Sequence, residues 1–253
     1  MRPDMKDRRF VLATDLDGTF LGGSDADRRA LYQFIEDNRQ TVGLVFVTGR
    51  DPEFIADLCR SGVPWPEYAV GDVGTTIARV SPDRGVEPIA KLEESIAKAW
   101  GDAGERVKAA LAGVQGLTLQ PTPFRYRVSF DLDMDALDER AFDIVEDLGF
   151  DTIVSDDKFF DVLPKGISKG PSILRLVEHL GLAKSHVLVA GDTMNDASML
   201  ECGLPAVAVG GSEKSLLDRV AHLPHVHVAK AIGAAGITEA IDAFDLHPLS
   251  MEA

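Results

Sequence analysis

The stretch Asp15-Leu16-Asp17-Gly18-Thr19 decides how the rest of the chain is interpreted. It follows a short apolar run, Phe10-Val11-Leu12-Ala13-Thr14, which is typical of a buried strand. Because Gly18 favours an immediate turn, we expect Asp15 and Asp17 to stand at the carboxyl end of that strand. In open α/β sheets this end is where ligands bind. Two close carboxylates there can hold a divalent cation, or one can attack a substrate while the other moves a proton.

The composition is that of an ordinary globular protein with an acidic surface. The 253 residues fit one large domain or two modest ones, and 45% of them are hydrophobic. A net charge of −15 argues against nucleic acid or an anionic membrane as the partner. No apolar run approaches the roughly 18 residues that span a bilayer. The charged residues 1–9 do not resemble a signal peptide, so we expect a cytoplasmic location.

Strands and helices alternate along the first third of the chain. The pattern predicts helices at residues 25–38 and 52–60, and buried strands at residues 41–48 and 65–70. The second strand is apolar throughout, which suits a parallel sheet that is covered on both faces. The predicted fold class is therefore α/β, with a doubly wound, Rossmann-like parallel sheet as its core.

Three later stretches place further polar groups at predicted strand ends or helix starts. They are Val47-Thr48-Gly49-Arg50, Ser168-Lys169-Gly170 and Gly191-Asp192-Thr193-Met194-Asn195-Asp196. Thr48 precedes a predicted helix start, where a hydroxyl and backbone N–H groups form a ready anion site. Lys169 can neutralise a phosphate or carboxylate, and Asp192 can complete a hard-cation site with Asp15. Asp196 can orient these ligands from the start of a helix.

The middle of the chain has a different rhythm. We expect residues 84–160 to form a small α+β unit, inserted into a core made of residues 1–83 and 161–253. Residues 125–133 alternate strictly, and the polar face of this predicted strand carries Arg125, Arg127, Ser129, Asp131 and Asp133. That face can meet solvent, or it can cover the Asp15 site. The pair Asp131 and Asp133 is not a second catalytic pair, because it continues the strand without a glycine turn.

The four stretches together resemble the four motifs of the haloacid dehalogenase-like phosphohydrolase superfamily, which places an α+β cap between its second and third motifs. Within it, the chain resembles the sucrose-phosphate phosphatase-like branch. That likeness rests on Val73-Gly74-Thr75, Arg127-Val128-Ser129 and Asp161-Val162-Leu163-Pro164. The resemblance implies an enzyme, a phosphoric monoester hydrolase, that acts on a sugar phosphate.

The resemblance also implies roles for individual residues. Asp15 would attack phosphorus, and Asp17 would protonate the leaving alcohol and then activate water. Mg²⁺ would be held by the side chains of Asp15 and Asp192 and by the backbone carbonyl of Asp17. The remaining groups would bind phosphate (Thr48, Asn195), screen its charge (Lys169) or support the metal and the lysine (Asp196). The substrate-binding residues that we expect are Arg50, Thr75, Arg125, Arg127, Ser129 and Lys165.

Two positions bear on the identity of the sugar in the expected substrate. Thr76 stands where sucrose-phosphate phosphatases usually have a glutamate, and Arg127 where they usually have a lysine. Sucrose-6-phosphate, mannosylfructose phosphate or another glycosyl phosphate is the expected substrate. The alternatives are a phosphomannomutase-like phosphomutase and a broad monosaccharide-phosphate phosphatase. A non-catalytic sugar-phosphate sensor is disfavoured, because every expected catalytic side chain is present. We expect a monomer or a weak homodimer.

Overall fold

The computed structural model describes residues 2–248 and divides the strands between a large and a small sheet. In chain order the strands are β1 (Phe10–Thr14), β2 (Val42–Val47), β3 (Tyr68–Gly71), β4 (Thr76–Ser81), β5 (Gly85–Pro88), β6 (Leu117–Leu119), β7 (Val128–Leu132), β8 (Phe150–Ser155), β9 (Phe159–Pro164), β10 (Val187–Gly191), β11 (Ala206–Gly210) and β12 (Val226–Ile232). The large sheet has the order β12-β11-β10-β1-β2-β3-β4-β5. Neighbours from β12 to β3 are parallel, whereas β4 and β5 add an antiparallel edge.

Helices cover both faces of the large sheet. In chain order, the helices of both sheets are α1 (Asp25–Asp37), α2 (Pro52–Arg60), α3 (Ala90–Trp100), α4 (Ala103–Leu111), α5 (Arg140–Asp147), α6 (Lys169–Leu180), α7 (Ala197–Leu200), α8 (Lys214–Val220) and α9 (Ala234–Ala243). Helices α1, α2 and α9 bury their apolar side chains against one face, and α6, α7 and α8 against the other. Every residue of β1 and β2 is buried as a result. The predicted α/β class with a parallel core sheet is confirmed.

Local sequence signals explain where the first two helices begin. Ser24 caps α1 through a reciprocal capping box with Asp27, in which each side chain bonds the other residue's backbone N–H. Asp51 caps α2 by accepting from two backbone N–H groups, and Pro52 occupies the first helical position. The prediction of a helix at residues 52–60 is therefore met to the residue.

The small sheet has the order β6-β7-β9-β8 and is antiparallel throughout. Its apolar side chains pack against α4, α5 and Trp100 at the end of α3. We call this sheet and helices α3–α5, residues 90–164, the cap. Helices α3 and α4 are separated between Trp100 and Ala103, next to Gly101. Helix α5 begins at Arg140.

The strand pairing departs from the expected boundaries of the inserted unit, residues 84–160, at both ends. The turn-rich segment after Ser81 is the turn of a hairpin, and β5 pairs with β4 in the large sheet. Strand β9 was assigned from Asp161 onward to the core, but it pairs with β7 and β8 in the small sheet. The sequence of an apolar strand does not show which of the two sheets it joins, because only its pairing partners distinguish the two positions.

Candidate active site

The predicted site residues meet where parallel strands of the large sheet end. Strand β1 lies between β2 and β10, so Asp15, Thr48 and Asp192 follow three neighbouring strands. The backbone N–H of Asp15 donates to the carbonyl of Ala190 at 2.9 Å, which fixes the end of β1 against β10. Asp15 and Asp192 therefore face one another at the carboxyl edge of the sheet, as the sequence predicted.

Lys169 lies at the centre of the site, fully buried. Its ammonium group donates to Asp15 Oδ1 at 2.7 Å, Asn195 Oδ1 at 2.7 Å and Asp196 Oδ1 at 2.6 Å. These three acceptors match the three N–H donors of a lysine, so the buried charge is fully satisfied. Burial by itself would lower the pKa of Lys169, but Asp15 and Asp196 outweigh that effect and raise the pKa above its ordinary value. The surroundings of Lys169 therefore favour its charged form.

Asp196 organises the loop that carries Asp192. Its Oδ2 accepts hydrogen bonds from the backbone N–H groups of Asp192 at 3.0 Å and Thr193 at 3.1 Å. Its Oδ1 is the acceptor for Lys169. Because both oxygens are used and the residue is fully buried, Asp196 acts by shaping the loop.

Close packing between Gly18 and Asp192 brings the two loops of the site together. Gly18 has φ +77°, and a Cβ at this position would lie 2.1 Å from Asp192 Oδ2. The neighbouring Thr19 donates from Oγ1 to Asp192 Oδ1 at 2.7 Å. Glycine at position 18 thus serves both the turn and the approach of the carboxylate.

The carboxylates of the site carry more negative charge than Lys169 neutralises. Burial, together with the charges of Asp196 and Asp192, raises the pKa of Asp15 well above its usual range, although Lys169 opposes this. Burial, with the charge of Asp196 added, raises the pKa of Asp192 to about 7. Both shifts are in the direction that a bound cation would reverse, because a cation favours the ionised carboxylates.

The donor set fits a small hard cation. Carboxylate oxygens of Asp15, Asp192 and Asp196 lie within 4.8 Å of one another. Since both oxygens of Asp196 are already bonded, Asp15 and Asp192 are the two that can ligate directly. One or two carboxylates, with water and phosphate oxygens, is the coordination that Mg²⁺ prefers in proteins.

Asp17 stands beside this cluster and is held by Arg50. The guanidinium donates from Nε to Asp17 Oδ2 at 2.8 Å and from Nη2 to Asp17 Oδ1 at 3.1 Å. The same guanidinium lies over the ring of Phe54, with 4.6 Å to the ring centre. This two-pronged pairing fixes the direction of the Asp17 carboxylate more firmly than a single contact would.

A cavity of about 580 Å³ opens above these residues, and the cap forms its other wall. The core contributes Asp15, Asp17, Arg50, Asp192 and Asn195 to its lining. The cap contributes polar and aromatic side chains, namely Gln120, Thr122, Phe124, Arg127, Ser155, Asp156, Lys158, Phe159 and Asp161. Of the polar face predicted for residues 125–133, Arg127 lines the cavity, whereas Asp131 and Asp133 are exposed.

Arg127 joins the cap to the core across this cavity. Its Nη1 donates to Asp161 Oδ1 at 2.9 Å within the cap, and its Nη2 donates to the carbonyl of Gly49 at 2.8 Å in the core. The guanidinium also stacks on the ring of Phe124 at 3.6 Å. Ser129 likewise donates to Asp161 and lies buried behind Arg127.

A family model described as sucrose-6F-phosphate phosphohydrolase matches residues 8–245. The chain belongs to this family. Among solved structures, it resembles the sucrose-phosphatase from Synechocystis sp. PCC6803 in complex with sucrose and phosphate. That match has a TM-score of 0.84 and 26% identity over 94% of this chain and 98% of the other. A haloacid dehalogenase-like hydrolase from Bacillus subtilis, at TM-score 0.68 and 16% identity, shares the fold.

Two curated relatives extend the comparison. Mannosylfructose-phosphate phosphatase of Agrobacterium fabrum is 28% identical over 250 residues, which are 94% of this chain and 98% of the relative. Glucosylglycerol-phosphate synthase of Pseudomonas anguilliseptica is 36% identical over 233 residues, 91% of this chain. The chain spans only 30% of that relative's length. The predictions of the haloacid dehalogenase-like superfamily, of its sucrose-phosphate phosphatase-like branch and of a phosphoric monoester hydrolase are confirmed.

The other site residues predicted for this sucrose-6F-phosphate phosphohydrolase family member do not reach the cavity. Thr48 lies buried just behind Gly49, where its Oγ1 accepts from the backbone N–H of Arg50. Thr75 is buried and donates to the carbonyl of Asp72. Arg125 pairs with Glu93 and donates to Thr76 Oγ1. Lys165 is exposed and is not part of the lining.

Sequence reasoning missed several residues of the site. Thr19 belongs to the first motif, and its bond to Asp192 gives it a role that the motif alone did not suggest. Asp161 was noted only as part of the family resemblance, yet it holds both Arg127 and Ser129. Glu213 accepts a hydrogen bond from the backbone N–H of Met194, 19 residues earlier in the chain. No sequence pattern indicated this contact. Within residues 2–248, no helix is long and apolar enough to cross a membrane.

Proposed function

We propose that this protein is a Mg²⁺-dependent phosphatase that removes the phosphate group from a glycosyl phosphate through an aspartyl-phosphate on Asp15. One observation carries the proposal. The Asp15 carboxylate, held by the buried ammonium of Lys169, forms the floor of a cavity whose opposite wall is the cap. Lys169 binds Oδ1, and because each carboxylate oxygen has two lone pairs, Oδ1 can also ligate the cation while Oδ2 attacks phosphorus.

The side chains supply each proton transfer that the reaction needs. When Asp15 Oδ2 attacks, the new O–P bond forms as the bond from phosphorus to the leaving alcohol breaks. Asp17, in its protonated form and released from its two-pronged pairing with Arg50, donates its proton to that alcohol. Asp17 then removes a proton from water, which attacks phosphorus and releases phosphate and free Asp15. Asn195 lines the cavity, where its side-chain N–H groups can bind a phosphate oxygen, and Lys169 acts through its contact with Asp15.

Mg²⁺ would be held by the carboxylates of Asp15 and Asp192, with the backbone carbonyl of Asp17 as the third protein ligand proposed. Bound there, the ion would neutralise charge on the phosphoryl group. Asp196 keeps Asp192 in place through the two backbone N–H groups that it binds.

The cap lining favours a substrate with a sugar attached. Gln120, Thr122 and Asp156 provide donors and acceptors for hydroxyl groups, while Phe124 and Phe159 offer apolar ring surface. The cavity of about 580 Å³ lies within the range of roughly 300–1,000 Å³ that is usual for small-molecule sites. The relatives' names suggest three substrates of this class, which are sucrose-6-phosphate, mannosylfructose phosphate and glucosylglycerol phosphate.

Phosphate release from a panel of esters tests this proposal. The panel contains those three glycosyl phosphates, several monosaccharide phosphates and p-nitrophenyl phosphate, each assayed with Mg²⁺. We expect one glycosyl phosphate to be preferred by orders of magnitude in kcat/KM. Hydrolysis of the monosaccharide phosphates at a kcat/KM equal to that of every glycosyl phosphate would contradict a glycosyl phosphate substrate. Transfer of phosphate to a sugar without release of free phosphate would indicate a phosphomutase.

The metal site leads to a prediction about pH and stability. The Asp192 carboxyl has a pKa of about 7 in the folded protein and about 3.8 when unperturbed. Between these values the folded state binds more protons than the unfolded state, so this group's contribution to stability falls as pH rises. Mg²⁺ competes with that proton. We therefore expect Mg²⁺ to raise the Tm more at pH 8 than at pH 5, relative to protein in EDTA.

Asp192→Asn is the control for this experiment, because the amide neither titrates nor attracts the cation. The variant should lose most of the Mg²⁺-dependent gain in Tm at pH 8. An equal Mg²⁺ effect at both pH values in the unsubstituted protein would show that no proton on Asp192 competes with the ion, and an unchanged Mg²⁺ effect in Asp192→Asn would show that Asp192 is not a ligand.

A further inference from the structure

The catalytic loop that carries Asp192, Thr193 and Asn195 is held from outside the cavity by Glu213. This residue precedes helix α8 and does not line the cavity. Its backbone N–H donates to the carbonyl of Asp192 at 2.8 Å. Its carboxylate accepts from the backbone N–H of Met194 at 2.7 Å, through Oε2. Glu213 therefore holds the loop through Asp192 and Met194, the residues on either side of Thr193.

The second oxygen of the same carboxylate faces the cap. Glu213 Oε1 accepts from the backbone N–H of Asp156 at 3.2 Å. Asp156 lies in the tight turn between β8 and β9, where Asp156 and Asp157 have φ of +54° and +48° and Lys158 N–H donates to the Ser155 carbonyl. This turn is the part of the cap that lies against the catalytic loop, and Ser155, Asp156 and Lys158 line the cavity.

We infer that Glu213 is a positioning residue that couples docking of the cap turn to alignment of the catalytic loop. Oε1 of Glu213 binds the cap turn, and Oε2 of the same carboxylate binds the catalytic loop. Displacement of the turn therefore removes one hydrogen-bond partner from the carboxylate that holds Met194. Two charged hydrogen bonds to backbone N–H groups are strong enough to bias the loop between arrangements. The inference rests on the proposed function, because it assigns a role within that phosphatase site.

Glu213→Gln is the informative substitution. The glutamine amide keeps one acceptor oxygen but replaces the other with a donor, so it cannot accept from Asp156 and Met194 together. We expect kcat for the preferred glycosyl phosphate to fall about 10- to 100-fold, as for the loss of one charged hydrogen bond. We expect KM to change little, because Glu213 does not touch the substrate.

Glu239→Gln is the matched control. Glu239 also accepts from two backbone N–H groups, those of Lys230 and Ala231, but at the far edge of the large sheet. Glu239 also contacts His227, and only Glu213→Gln should lose turnover. A fall in kcat in both variants would point to a general loss of stability and would overturn the inference.

Hydrogen exchange provides a readout that does not depend on turnover. In the unsubstituted protein, Mg²⁺ with orthovanadate should protect the backbone amides of residues 154–158 and 192–196 together. In Glu213→Gln, residues 154–158 should lose this protection, whereas residues 192–196 should keep part of theirs. Unchanged protection of both segments, or unchanged kcat, would refute the role of Glu213. Absence of phosphate release from every ester of the panel by the unsubstituted protein would instead refute the proposed function, and the exchange result would still decide the coupling.

Discussion

Asp15→Asn should abolish phosphate release and leave the protein folded. The substitution preserves the shape of the side chain and keeps an oxygen that can accept from Lys169, whose other partners, Asn195 and Asp196, remain. It removes the negative oxygen that the proposed reaction needs as a nucleophile. Loss of a nucleophile in a comparable covalent mechanism costs about 10⁶-fold in kcat, so a fall of at least ~10⁴-fold is expected here.

The stability of this variant is part of the same prediction. Asp15 is buried beside Asp192 and Asp196, and their charges raise its pKa. Replacing it with a neutral amide removes this repulsion, so in the absence of metal the Tm should stay the same or rise. The measurement pairs phosphate release with thermal unfolding in EDTA. Acid-quenched samples taken during turnover should contain protein-bound phosphate only when Asp15 is present. Near-normal turnover by the variant would exclude Asp15 as the nucleophile.

The core of the site could be predicted because the ends of buried strands can be identified from the sequence. Asp15 and Asp192 each follow a buried apolar run, and parallel strands bring their carboxyl ends to one edge of the sheet. The prediction needed no knowledge of side-chain contacts. The hydrogen bonds of Lys169 did not follow in the same way, because they depend on how three separate loops approach one another.

The cap shows where the periodic pattern ceased to be informative. Alternation placed Arg125, Arg127 and Ser129 on one face, but β7 begins only at Val128. Arg125 lies before the strand, so alternation does not govern its direction, and it pairs with Glu93 away from the cavity. Arg127 is close enough to the strand to reach the cavity.

The contacts that join cap and core had no sequence signal at all. Glu213 and Asp156 are 57 residues apart, and Arg127 and Gly49 are 78 residues apart. Neither pair has a characteristic spacing or residue pattern. In both pairs one partner is a backbone group, which every residue offers, so the side-chain types do not reveal the contact.

Lys169→Met should both destabilise the protein and abolish its activity. Methionine matches the length of the lysine stem but leaves Asp15 and Asp196 buried without their shared cation. Removing one partner of a buried ion pair typically costs ~3–5 kcal/mol, which is a large part of the ~5–15 kcal/mol that stabilises a typical domain. The free energy of unfolding, measured by urea denaturation in EDTA at neutral pH, should fall by about that amount.

Two further variants separate the buried charge from a general effect of losing a lysine. Lys98→Met removes an exposed lysine from α3, and it should change the free energy of unfolding by no more than ~0.5 kcal/mol. The double variant Asp15→Asn with Lys169→Met removes one of the two unpaired carboxylates together with the cation. It should be more stable than Lys169→Met alone, because less uncompensated charge stays buried. If Lys169→Met were as stable as the unsubstituted protein, Asp15 and Asp196 would have to be protonated in the folded state. Asp15 could then not act as a nucleophile without first losing that proton, so this stability measurement bears directly on the proposed mechanism.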